Sequence, residues 1–219
     1  MSIFSHIIRF FQGGGFMMYP IALVLVAGLA IAIERWIYLT VTALRNRGLW
    51  DEISPYLAQG NFRQAVQLTS KSPAAIGQIL SYGLARIASA RQREDIEKAM
   101  EESLMDIMPR LERRTHYIAT FANLATLLGL LGTVIGLINA FAAVATVNPA
   151  EKANLLSASI SVAMNCTAFG LMTAVPLLLI HAVLQTKTTE LIDSLEMASV
   201  KFLNAVTERK PQPAAPAAA

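Results

Sequence analysis

The side chains able to handle an ion or a proton lie in two apolar stretches, ATLLGLLGTVIGLINAF from Ala125 and SASISVAMNCTAFGLMTAVP from Ser157. In the first, Thr126, Gly129, Thr133, Gly136 and Ala140 step by three or four residues, which places them on one face of a helix. Ala163, Thr167, Gly170 and Ala174 do the same in the second. A hydroxyl both donates and accepts hydrogen bonds, so such a face can serve a polar path. It also lets two helix backbones approach closely inside a bilayer, with Gly129, Gly132, Gly136, Gly170 and Pro176 as the packing positions. Both readings stand on spacing alone.

Titratable chemistry is scarce here. No Asp, Glu, Lys or Arg occurs over residues 118–147 or 155–184, and His181 lies near the end of the second stretch. That histidine can shuttle protons or sit as a capping or interfacial residue. Cys166 is the single cysteine, which excludes an internal disulfide and a Cys-rich metal site and leaves a small packing residue. There is no HExxH, no phosphate-binding glycine loop, no Ser-His-Asp set and no pair of intramembrane acids. An enzyme reading finds no residues, and neither a metal nor a cofactor is expected.

The elements that must position these faces follow from composition. Of 219 residues, 54% are hydrophobic and 15% charged, with a mean hydropathy of +0.48, the balance of an all-α integral membrane protein carrying a modest soluble portion. Three spans are predicted, over residues 16–39, 117–147 and 155–184. At 1.5 Å per residue the first reaches roughly 36 Å, enough for a core of about 30 Å. Tyr19, Trp36 and Tyr38 stand at its interfaces, with Glu34 and Arg35 near the inner end, snorkelling or pairing with each other. The second reaches roughly 46 Å, so it tilts or protrudes.

Ahead of the first span, residues 1–15 read as an interfacial amphipathic helix ending in a glycine hinge at Gly13, Gly14 and Gly15. Residues 40–116 turn soluble and read as a small helical domain. Asn61 caps one short helix and Ser72-Pro73 opens the next. A charged helix over residues 92–114 follows, with Glu94 and Lys98 paired on one side and Pro109 expected to kink it rather than end it. Residues 148–154 form a short loop opened by Asn148-Pro149, residues 185–208 a polar helix, and residues 209–219 a disordered Pro/Ala tail.

Eleven of the 18 basic residues fall between Thr40 and His116 and four after Leu184. Their placement reads as a topology signal and not a nucleic-acid footprint. The positive-inside rule puts the helical domain and the carboxyl terminus in the cytoplasm and the amino terminus outside.

The blocks GGFMMYPIALVLVAGLAIAIER, LLGLLGTVIGLINAF and NCTAFGLMTAVPLLL, in this order and topology, resemble the MotA/TolQ/ExbB proton-channel family, its ExbB/TolQ branch above all. The resemblance implies a bacterial inner-membrane homo-oligomer, a pentamer, around two copies of a single-span ExbD/TolR-type partner. Ion flow would drive movement passed to an envelope-spanning TonB- or TolA-type protein. It matches Thr133 and Thr167 to lumen-facing threonines; Ser161 and Asn165, four residues apart on a neighbouring face, are placed by their spacing to line the same path. The branch's usual third-span glutamate falls on Val162 here, so the essential carboxylate must come from the partner, and sodium becomes an alternative to the proton. A motility or gliding stator is a neighbouring reading. A self-sufficient channel and a passive membrane scaffold are readings of other classes. Conductance separates them: alone for the channel, with a carboxylate-bearing partner for the motor, never for the scaffold.

Overall fold

The computed structural model describes residue 11 and residues 13–87 and 92–207. The amphipathic helix expected ahead of the first span, apart from Phe11, and the Pro/Ala tail lie outside the described residues. The described chain is all-helical: α1 (Met18–Gln59), α2 (Phe62–Lys71), α3 (Ala75–Ile87), α4 (Arg93–Glu112), α5 (Thr115–Thr146) and α6 (Pro149–Thr207). Three helical runs are long and apolar enough to cross a membrane: α1, α6, and α4 with α5.

Helix boundaries follow local chemistry. Residues 40–59 continue α1 without a break, where the sequence suggested that the span closes at residue 39. The change at Thr40 is one of surroundings: Leu39, Asn46, Leu49, Ile53 and Leu57 keep a single buried stripe running on. Gly60, at φ +77°, ends the helix. Its N–H reaches the Leu57 carbonyl and the Asn61 N–H reaches that of Tyr56, the paired bonds of a glycine-closed helix end. Asn61 then caps α2 by accepting the Gln64 N–H.

Ser72 sits at the carboxyl cap of α2, and α3 opens at Ala75. Asp95 accepts the Gln92 N–H at the start of α4. Pro109 lies inside that helix, which ends three residues later at Glu112. The break belongs to Arg114, at φ +67° the non-glycine residue of left-handed backbone among those described. Pro149 begins α6, where its missing N–H costs nothing, so the connection from α5 is only residues 147–148.

The chain forms two compact units. The first holds the described residues of Met1–Arg35 together with Arg114–Gln185. In it α5 and α6 run antiparallel, since Gly129 faces Gly170 and Gly136 faces Ala163. The first part of α1 runs parallel to α6, Gly28 lying against Leu177. Its outer surface stays apolar, with Leu23 71%, Leu127 62% and Leu179 64% exposed, a surface that water does not tolerate and lipid does. The second unit, Trp36–Arg113 with Thr186–Ala219, buries large side chains instead, among them Ile53, Ile79, Leu80, Met100, Leu111, Leu195 and Phe202. Asn46 ties α1 to α3 there by accepting the Ile76 N–H at 3.2 Å, and Arg93 donates to Asn204 at 3.1 Å.

Candidate functional site

Glycine sets the geometry of the α5–α6 hairpin. A Cβ on Gly129 would stand 3.2 Å from Gly170 Cα and 3.3 Å from Thr167 Cα. On Gly170 it would stand 2.8 Å from the Ala125 carbonyl oxygen, and on Gly136 2.7 Å from Ala163 Cβ. At Gly132 it would overlap Cys166 Sγ. The two backbones therefore touch along a seam, and Cys166, 1% exposed, fills the notch that Gly132 leaves. Pro176 is exposed, one position from the buried Leu177.

That closeness lets one hydroxyl bond across the seam. Thr167 Oγ1 donates across the seam to the Gly129 carbonyl at 2.9 Å, a bond between helices that no larger residue at 129 would allow. Thr133, half-buried one turn along α5, donates to its own helix at the Leu130 carbonyl, 2.6 Å. Its lone pairs remain able to accept. Thr126 likewise bonds the Ala122 carbonyl at 3.2 Å. Ser161 is exposed. Asn165 is half-buried and turns its amide to the Gly13 carbonyl at 3.4 Å, joining the hairpin to the turn ahead of α1.

One hydroxyl escaped the spacing argument. Thr173 is 1% exposed and its Oγ1 meets no hydrogen-bond partner in the protein. By the antiparallel register it stands level with Thr126. A signal for it was present, since Thr173 lies three residues after Gly170 and four before Leu177, the spacing of one helical face.

Charge lies at the end of this unit and not along its seam. Arg114 donates to Glu34 at 2.6 Å, so Glu34 pairs across helices and not with its neighbour Arg35. His181 is half-buried, its Nε2 enclosed and without a hydrogen-bond partner. Val162 is 38% exposed and offers no proton. The seam thus offers hydroxyl oxygens able to donate and accept, and no carboxylate lies over residues 118–147 or 155–184. A groove of about 550 Å³ lined by Leu39, Asn46, Trp50, Lys187, Leu191 and Met197 belongs to the second unit. There Lys187 Nζ stands 3.6 Å over the Trp36 ring.

Residues 71–197 match the model of the MotA/TolQ/ExbB proton channel family. The chain is 26% identical over 199 residues to a putative biopolymer transport protein ExbB homolog of Methanothermobacter thermautotrophicus, covering 90% of this chain and 69% of that protein. It is 31% identical over 153 residues to the biopolymer transport protein exbB1 of Vibrio cholerae, covering 63% of this chain and 66% of the other.

Proposed function

The chain belongs to the MotA/TolQ/ExbB proton channel family, and from that premise we propose that it is the multi-span subunit of an ion-driven motor of the ExbB/TolQ type. It is a multi-pass membrane protein by its apolar helices and its family. The finer reading places it in the inner membrane as a homo-pentamer around two copies of a single-span ExbD/TolR-type subunit. Its amino terminus is outside, while the second unit and the carboxyl terminus are in the cytoplasm. Ion flow through the ring moves ring and partner against each other, and an envelope-spanning TonB- or TolA-type protein takes up the force.

One observation carries this reading: the hairpin has hydroxyls at its seam and no carboxylate over its apolar residues 118–147 and 155–184. Hydroxyls can conduct but cannot be charged and discharged at ordinary pH, so they cannot by themselves couple ion passage to a cycle. An acid on a partner helix completes the device. Thr133 and Thr167 then face that acid, with Ser161 further out along the path and Asn165 on its flank. The glycines hold the backbones close enough for Thr167 to stay tied to Gly129.

The test uses proteoliposomes holding the chain with its co-purified partner. The pair Thr133→Val and Thr167→Val is expected to leave assembly intact and to abolish partner-dependent flux. Flux equal to that of the unaltered protein removes both residues from the path. Flux by the chain without a partner overturns the coupled reading in favour of an independent channel, and none under any condition favours a scaffold. Replacing the proton gradient by a sodium gradient decides the ion.

A further inference from the structure

A stripe of α6 at Val162, Asn165 and Phe169 is contacted by the segment just ahead of α1. These positions are three and then four residues apart, so they share one face. Phe11 meets Phe169 edge-on at 5.7 Å and Tyr19 edge-on at 5.4 Å. Asn165 Nδ2 donates to the Gly13 carbonyl. Gly15, at φ +72°, comes so near that a Cβ there would stand 3.3 Å from Val162 Cγ1. Met17 Cβ would stand 3.4 Å from a Cβ on Gly132, at the seam itself. Four contacts from one short segment thus fall on one face of the hairpin, next to the level of Thr133 and Thr167.

We propose that Phe11 and residues 13–17 form a strap that closes this flank of the hairpin, and that Asn165 is a positioning residue whose amide holds the strap in place. The argument is one of chemistry at each contact. The three aromatic and aliphatic contacts are undirected and would let the segment slide; the amide bond alone fixes its register. An asparagine side chain in apolar surroundings stays there only when its amide is hydrogen-bonded, and the carbonyl within reach is one that the turn has left outside any helix. Gly15 is needed twice, for its left-handed backbone and for its approach to Val162. With the strap seated, Met17 stands over Gly132 and closes this side of the seam. Released, the strap opens a second route to the seam, and ions leak without turning the motor. This inference rests on the ion-path reading above.

The experiment compares Asn165→Leu, which keeps the bulk and removes the donor, with Asn165→Gln, which keeps the amide. Gly15→Ala loosens the strap from its own side, by straining the left-handed turn and pressing a methyl on Val162, with the α6 sequence unchanged. Each is made in the full chain, purified with its partner, and read by hydrogen exchange at residues 13–19 and by passive proton leak in proteoliposomes with the partner present. Asn165→Leu and Gly15→Ala are expected to speed exchange at the turn about five-fold, the effect of one lost hydrogen bond on a local opening, and to raise the leak with it. Asn165→Gln is expected to restore both. Unchanged exchange in Asn165→Leu overturns Asn165 as the holder of the strap. Faster exchange with unchanged leak overturns the strap as a seal. Should Asn165→Leu not assemble, Gly15→Ala decides by the same two readings. Failure of the ion-path reading is distinct, since it removes partner-dependent flux from the unaltered protein.

Discussion

The two units solve the packing problem in opposite ways. In the apolar unit the contacts that matter are made by the smallest residues: Gly129 on Gly170, Gly136 on Ala163, Gly132 on Cys166, Gly28 on Leu177. In the second unit they are made by the largest: Phe202, Ile53, Ile79, Leu80 and Met100. Outside, the contrast inverts. Leu23, Leu127 and Leu179 are exposed on the first, whereas Arg93, Glu94, Glu101 and Glu102 are exposed on the second. Where the surroundings are as oily as the interior, burying a leucine gains nothing, and close backbone approach with an interhelical hydrogen bond is what remains. Where the surroundings are water, removing apolar area is the main driving term. Backbone contact through glycine marks the α5–α6 seam, and a core of large side chains marks the second unit.

The sharpest way to break this comparison is to enlarge a seam glycine. Gly170→Leu places a side chain against the Ala125 carbonyl and Gly129 Cα, both backbone, and neither can yield unless the helices part. The expected outcome is loss of the folded hairpin, read as missing monodisperse protein on size exclusion in detergent. An assembled, normally stable Gly170→Leu variant would mean that the seam is not the organising contact. The counterpart in the second unit is to shrink rather than enlarge. Phe202→Ala removes a fully buried ring and is expected to cost about 3–5 kcal/mol. It should lower the unfolding midpoint while leaving the α5–α6 seam assembled. A seam lost together with Phe202 would show that the two units do not fold by separate rules.

The smaller effects test the same contrast on exposed residues. Gly48 lies inside α1, in the second unit, and a Cβ there would meet nothing within 4 Å. Gly48→Ala is expected to stabilise by about 0.5–1 kcal/mol, because alanine loses less backbone freedom on entering a helix. Thermal unfolding in detergent checks it, and a lower midpoint would place an unseen neighbour against that face. Glycine in the seam is thus required, and glycine at 48 is dispensable.

How much of this was legible depends on the reach of each rule. The three apolar runs, the Asn61 cap and the glycine spacing on α5 and α6 are local patterns, and the structure places helices on all of them. At residues 40–59 polarity marks a change of surroundings and carries no sign of a helix end, and the helix runs on as one element. The partner of Glu34 was out of reach: Arg114 lies 80 residues on, while Arg35 is adjacent. Asn165 is the extreme case, its carbonyl partner being 152 positions away on Gly13. Spacing could place Asn165 on a face, but nothing in the spacing said what that face would meet. The unpartnered Thr173 is hidden for a related reason, since burial between helices follows from how three of them pack and not from one periodicity.

The Glu34–Arg114 pair is where the smallest effect carries the finest distinction. Both side chains are nearly half exposed, 49% and 45%, so the ion pair is screened and worth about 0.2–1 kcal/mol. Arg114 meanwhile holds a left-handed backbone at φ +67°, which costs a residue with a Cβ about 1–2 kcal/mol relative to glycine. Two substitutions at one position therefore separate the two terms. Arg114→Ala loses the pair and keeps the strain, so it is expected to lower stability slightly, and less so in high salt. Arg114→Gly loses the pair and relieves the strain, so it is expected to be neutral or stabilising. Unfolding midpoints at low and high ionic strength, with Glu34→Gln to complete the cycle, read both. If Arg114→Gly falls further than Arg114→Ala, relief of the left-handed backbone is outweighed by glycine's extra freedom in the unfolded chain, and the φ of +67° is not a site of strain.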